Sequence, residues 1–328
     1  MKAFLARNWF VLALPVTVAL ASFVPEWGAN GGPLRPEIST KLAVAAIFVI
    51  QGLTLPSAAL RQGAGRWRLH LLVQSFTFLL FPLLGIVLDG FWGTVVSPDL
   101  QFGFLFLCVL PSTVSSSVVQ TSLAGGNTVG AIFNAALSNL VGVVVTPLWV
   151  TWLMNKGSTV QPLGIVFRDV ALLLLVPMAA GQALRVVLGT WADRRKRSLT
   201  HACSGLILLL VFAAFSNTVQ QGLWRTQSRG LLWVAALGSA GVLALAMAGV
   251  EALCRLARLD RGDRIAATFC APQKTIAAGI PLAKAILGTH PGLGLILLPV
   301  LIYHLLQLIV GGIVAERFAR NTPSAVRG

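Results

Sequence analysis

The sequence predicts an all-α polytopic membrane protein: ten transmembrane helices arranged as two inverted five-helix repeats. Three observations carry this. Of the 328 residues, 56% are apolar and only 11% charged, with a mean hydropathy of +0.82, whereas a soluble domain carries about 25% charged residues. Apolar runs near the spanning length of about 20 residues recur ten times with short connections. The second half of the chain also echoes the first, in the same order.

The predicted spans are 8–25, 40–59, 68–89, 100–123, 127–154, 165–188, 201–221, 229–254, 263–287 and 291–315. The first follows Lys2 and Arg7, and Ala19-Leu20-Ala21 in it resembles a signal-peptidase site. However, Leu12-Ala13-Leu14-Pro15-Val16 has a counterpart in Leu174-Leu175-Val176-Pro177-Met178 of the sixth span. Such an echo is expected of a retained first helix.

The formal charge of +15 would suggest nucleic acid in a soluble protein. Here the basic residues sit in short clusters between apolar runs, so no nucleic-acid partner is expected. Placing the N-terminus inside puts 17 Lys and Arg residues in the cytoplasm, the run Arg194-Arg195-Lys196-Arg197 among them. Six fall outside (Arg35, Lys41, Lys156, Arg168, Arg225 and Arg229), and Lys274 and Lys284 lie within a span. This bias predicts both termini in the cytoplasm and an even number of helices. The 194–197 run can also meet anionic lipid headgroups. Cys108, Cys203, Cys254 and Cys270 show no metal-ligand or disulfide spacing.

Further echoes support two repeats, 1–156 and 157–318, with a cytoplasmic tail at 319–328. Phe48-Val49-Ile50-Gln51 is similar to Phe212-Ala213-Ala214-Phe215-Ser216-Asn217, and Asn139-Leu140-Val141-Gly142 to Gln307-Leu308-Ile309-Val310-Gly311. Cys108-Val109-Leu110-Pro111-Ser112-Thr113 pairs with Cys270-Ala271-Pro272-Gln273-Lys274-Thr275. Five helices per repeat force opposite topologies on the halves, an arrangement found in secondary transporters.

Spans four and nine are each interrupted by a proline followed by polar residues. Proline removes a backbone donor and clashes with the carbonyl four residues earlier; the freed groups must then be buried in protein or face a watery cavity. Two such breaks at matching positions point to a substrate site. Candidate ligands are Ser115, Ser116 and Ser117 in span four, and Gln273, Lys274 and Thr275 in span nine. Asn134, Ser138 and Asn139 join them from span five, Asn134 and Ser138 sharing a face. His304 is the candidate in span ten, either as a proton relay or as a hydrogen-bonded structural residue. Serines here serve helix packing equally well.

Lys274 is the sharpest feature, since a mid-membrane lysine costs about 2.5–3.5 kcal/mol on insertion scales. No Asp or Glu lies near the middle of any span; Asp89 and Glu251 sit close to helix ends. Three roles are open: pairing with an anionic substrate, standing in for a bound cation, or carrying a proton. Snorkelling toward an interface is the alternative.

At these residues the chain resembles the bile acid:sodium symporter superfamily, in particular its SBF-like branch of bacterial proteins related to sodium/bile acid cotransporter 7. The resemblance rests on Leu110-Pro111 through Ser115-Ser116-Ser117, Gly125-Gly126-Asn127, Ala131-Ile132-Phe133-Asn134 and Val145-Thr146-Pro147. A second part is Phe269-Cys270-Ala271-Pro272-Gln273-Lys274-Thr275 with Gly279-Ile280-Pro281. It implies a panel of helices 1, 2, 6 and 7, and a core of helices 3–5 and 8–10 in which broken helices 4 and 9 cross. It further implies residence in the bacterial inner membrane, a small organic anion as substrate and Na+ as coupling ion. Carried over by position, Ser116, Ser117, Asn134, Ser138 and Gln273 match its sodium-ligand region. Where the better-known branch has a glutamate, this chain has Phe269, which removes charge compensation for two sodium ions.

The expected function is therefore alternating-access transport of an organic anion. A membrane regulator of cation homeostasis or envelope assembly is the second reading. The H-E-x-x-H and G-x-S-x-G motifs and paired intramembrane carboxylates are missing from the sequence, so no enzyme is expected.

Overall fold

The computed structural model describes residues 9–55, 65–92, 96–154, 163–223, 230–288 and 290–320, and among them every regular element is helical. The helices are α1 (Trp9–Phe23), α2 (Pro25–Gly28), α3 (Pro36–Thr54) and α4 (Trp67–Ser75), which runs through a π turn (Phe76–Leu80) into α5 (Phe81–Trp92). Then follow α6 (Pro98–Val109), α7 (Ser115–Leu123), α8 (Thr128–Met154), α9 (Leu163–Arg194) and α10 (Lys196–Gln220). The last are α11 (Leu231–Leu256), α12 (Arg261–Cys270), α13 (Ile276–Leu287) and α14 (Leu293–Arg320). Lys2, Arg7, Arg61, Lys156, Arg225, Arg229 and Arg327 lie outside the described residues, as do the repeat junction at 156–157 and most of the 319–328 tail.

Among the described residues, seven segments are long and apolar enough to cross a membrane, and α6, α13 and most of α1 are shorter apolar helices. Leu42, Leu71, Val87, Val187, Trp233 and Leu237 are exposed. Apolar surface on this scale has lipid as its natural solvent. In α1, Leu14 and Ala21 are buried where the helix packs on α10, so the Ala19-Leu20-Ala21 stretch belongs to a packed helix.

Helix boundaries differ from those predicted where the ends are chemically marked. Span two begins at Pro36 rather than residue 40, because proline suits the first helical turn, with Glu37 beside it. It is described to Thr54, with Leu55 extended ahead of Pro56, and its predicted end at 59 lies outside the described residues. The basic run 194–197 is almost entirely helical: α9 continues to Arg194 and α10 starts at Lys196. Long cationic side chains are good helix formers and reach water without unwinding the backbone.

Among the described glycines, the closest approach of one helix backbone to another joins α3 and α9. A Cβ at Gly52 would collide with the Met178 carbonyl, and one at Gly181 with the Val49 carbonyl. Each glycine thus lets its own backbone lie against that of the other helix, the small-residue solution to packing in lipid. Helix α10 packs on α1 and α3, while α14 packs on α6, α11 and α10.

The Gly125-Gly126-Asn127 motif makes the turn from α7 to α8. Gly125 takes φ +70°, which a glycine adopts without steric cost. The Asn127 side chain donates to Asp263 at 2.6 Å, and Arg66 pairs with Asp260 at 2.8 Å. Asp260 caps α12 by accepting from the Asp263 N–H. The start of α4, the α7–α8 turn and the start of α12 are thereby tied together around a cavity of about 430 Å³.

Candidate functional site

Both expected breaks are present, at 110–114 between α6 and α7 and at 271–275 between α12 and α13. Leu110, which precedes Pro111, is extended (φ −71°, ψ 151°), as the clash with a following proline ring demands. In the second break Thr275 is extended and its hydroxyl caps α13 by accepting from the Ala277 N–H.

The two breaks meet. The Thr275 N–H donates to the Pro111 carbonyl at 3.0 Å, and the Ser112 hydroxyl donates to the Cys270 carbonyl. Away from water every freed backbone group needs a partner, and most find theirs on α8 and α14. From α8, the Thr146 hydroxyl donates to Val109 O at 2.8 Å, Asn139 donates to Ser112 O at 3.0 Å, and Ser138 Oγ accepts from the Ser112 N–H at 2.9 Å. From α14, the Tyr303 hydroxyl donates to Pro272 O at 2.6 Å. Gln307 accepts from the Lys274 N–H and donates to the Lys274 carbonyl, both at 2.8 Å.

Lys274 is 1% exposed, so it does not snorkel. Its ammonium donates to three backbone carbonyls: Leu110 at 2.7 Å, Cys108 at 3.1 Å and Thr77 at 3.2 Å. It also lies 4.2 Å from the centre of the Phe81 ring, within cation–π range. Leu110 and Cys108 end α6, where the helix dipole is negative.

A second polar group sits on the α7 side. Ser116 Oγ donates to Gln273 Oε1 at 2.9 Å and lies 3.1 Å from Thr113 Oγ1. The Gln273 amide donates to Gln120 Oε1, and Gln120 in turn donates to Leu308 O at 3.3 Å. The first turn of α7 has no side-chain cap, so its N–H groups present the positive end of the helix dipole beside these side chains.

Of the sequence candidates, Ser116, Gln273, Lys274, Thr275, Ser138 and Asn139 come together around the two breaks. Ser117 is buried and bonds to its own backbone at Thr113 O, the packing role open to any serine. Ser115 is exposed on α7 and stands apart from the cluster. His304 is buried beside Gln307, which donates to its Nδ1 at 2.8 Å. Asn134 is fully buried and faces α4 instead, donating to His70 Nδ1 at 2.9 Å and accepting from Gln74 at 3.2 Å. His70, Gln74 and Thr77 were not anticipated. Their signal is polar residues at helical spacing, 70, 74 and 77, within an apolar span.

Residues 8–320 match the profile of the SBF-like CPA transporter family. The chain is 40% identical to "Uncharacterized protein PA2026" of Pseudomonas aeruginosa, over 98% of this chain and 96% of the relative. It is 37% identical to "Putative symporter YfeH" of Escherichia coli, with the same coverage. Against "Sodium/bile acid cotransporter 7" of Danio rerio it is 31% identical, covering 94% of this chain and 92% of the relative.

Proposed function

This chain belongs to the SBF-like CPA transporter family, and from that premise we propose that it is a secondary active transporter carrying a small organic anion across the bacterial inner membrane by alternating access. The observation that carries the reading is the meeting of two broken helices, with the uncapped start of α7 beside Ser116, Thr113, Gln120 and Gln273. Half-helix starts of this kind favour anionic groups.

The same reading orders the fold as ten spans in two inverted repeats, 1–156 and 157–318, with both termini in the cytoplasm. Support comes from matching service at the two breaks: α8 side chains brace the first and α14 side chains brace the second. Helices α1, α3, α9 and α10 form the panel, with Gly52 and Gly181 bringing α3 and α9 together, and the remaining spans form the core. Gln51 of α3 donates to Ala277 O of α13 at 3.0 Å, one of the bonds that must exchange when core moves against panel. Sodium is the proposed coupling ion. Ser116 and Gln273 begin its oxygen shell, and Ser117, Asn134 and Ser138 join only by giving up their present bonds.

Uptake of radiolabelled anions into proteoliposomes, with and without sodium and proton gradients, tests this directly. Gradient-driven uptake is expected. Gln273→Leu, which removes bonds to both Ser116 and Gln120, should lower uptake at least tenfold, while Ser115→Ala should match the parent. Flux that ignores both gradients would remove symport, and a lack of flux for every anion would leave the regulatory reading.

A further inference from the structure

We propose that the Lys274 ammonium is a tethered cation: it permanently fills a monovalent-cation cage at the helix crossing, so that this position needs no free ion. The inference deepens the transporter reading but stands on its own geometry. An ammonium carries three N–H donors, and three carbonyls surround this one, two at the end of α6 and one in the π turn. The Phe81 ring closes another side. Backbone carbonyls at unwound helix ends are the groups with which transporters coordinate small monovalent cations, so the cage is built for a positive charge whatever carries it.

The surroundings favour this role over the other two that the sequence left open. Among the described residues no carboxylate bonds to Lys274, whose ammonium is held by neutral acceptors and a ring. All its donors are used and its side chain is sealed, which leaves no free N–H for an anionic substrate. On deprotonation the amine would keep two N–H donors and leave one of the three carbonyls without a partner, a cost in a buried site. The charge instead neutralises the end of α6, and the α7 start remains the place for the anion.

The test compares the parent with Lys274→Ala, which empties the cage, and Lys274→Met, which fills it without charge. Melting temperature in detergent is read in N-methyl-D-glucamine, sodium, potassium and methylammonium chlorides at equal ionic strength. Methylammonium is the smallest alkyl copy of the lost group. Lys274→Ala is expected to melt lower than the parent in N-methyl-D-glucamine chloride, and to gain on the order of 3 °C or more, saturably, with methylammonium or sodium. Lys274→Met should melt equally low and regain nothing, because its side chain blocks the cage. Equal melting of Lys274→Ala in all four salts overturns the proposal, as does equal rescue of both variants. Where the variants do not survive solubilisation, the salts are added at that step. Recovery of the alanine variant alone is then the expected result, and recovery of both or neither overturns it. The readout involves no substrate, so an absence of anion flux in proteoliposomes would refute the transporter reading and leave this result untouched.

Discussion

Alanine at Gly52 or at Gly181 is expected to cause the largest loss of stability of any single-methyl change in the chain. Each new Cβ would enter the backbone of the facing helix, meeting Met178 O and Gln182 N in one case and Val49 O and Leu53 N in the other. Backbone cannot rotate aside as a side chain can, so α3 and α9 must separate. Overpacking typically costs about 1–3 kcal/mol, and this site lies at or beyond the top of that range. Melting in detergent should fall by more than about 5 °C, with loss of monodisperse protein on size exclusion. Gly241 in α11 is the control, because a Cβ there meets nothing within 4 Å. The same substitution at Gly241 should be neutral or stabilising, since alanine is favoured over glycine in a helix by about 1 kcal/mol. Equal melting of the Gly52 and Gly241 variants would contradict the reciprocal contact.

Gln307→Leu should produce the second large effect. One amide satisfies both the N–H and the carbonyl of Lys274, in a break where both residues are buried. Leucine conserves much of the volume and leaves both groups orphaned. At about 1–3 kcal/mol for each unpaired buried group, the cost is on the order of 2–6 kcal/mol. The damage falls on the backbone that positions the Lys274 ammonium and on Gln273 next to it, so uptake in proteoliposomes should fall together with melting temperature. Retention of the parent's melting temperature would show that the second break does not depend on the Gln307 amide.

The helices were legible in the sequence because span length and apolarity are local properties. Their ends were less so: the 194–197 run reads as a loop by charge, yet arginine and lysine extend α9 and α10 while reaching outward. The breaks were legible because Pro111 and Pro272 each sit before polar residues in apolar spans. What the sequence left open was direction. Asn134 and Ser138 share a helical face, yet Ser138 serves the break at Ser112 while Asn134 serves His70 and Gln74. Which neighbour a buried amide meets depends on how three helices cross, and no residue spacing encodes that. The Lys274 cage was hidden for a related reason. Its acceptors are main-chain carbonyls from distant parts of the chain, which carry no side-chain signature.

The π turn at 76–80 has a consequence for how the third span is built. There the Phe81 N–H bonds to the Phe76 carbonyl five residues back, so the segment holds one residue more than the α-helical count. The two halves of the span are consequently phased independently. The half before the turn aims His70 and Gln74 at α8, and the half after it aims Phe81 at Lys274. Removing one residue from the turn would rotate one half against the other by about 100°, and no side-chain substitution would restore both bearings. The extra residue acts as a clutch, letting a single rod keep two appointments at different angles.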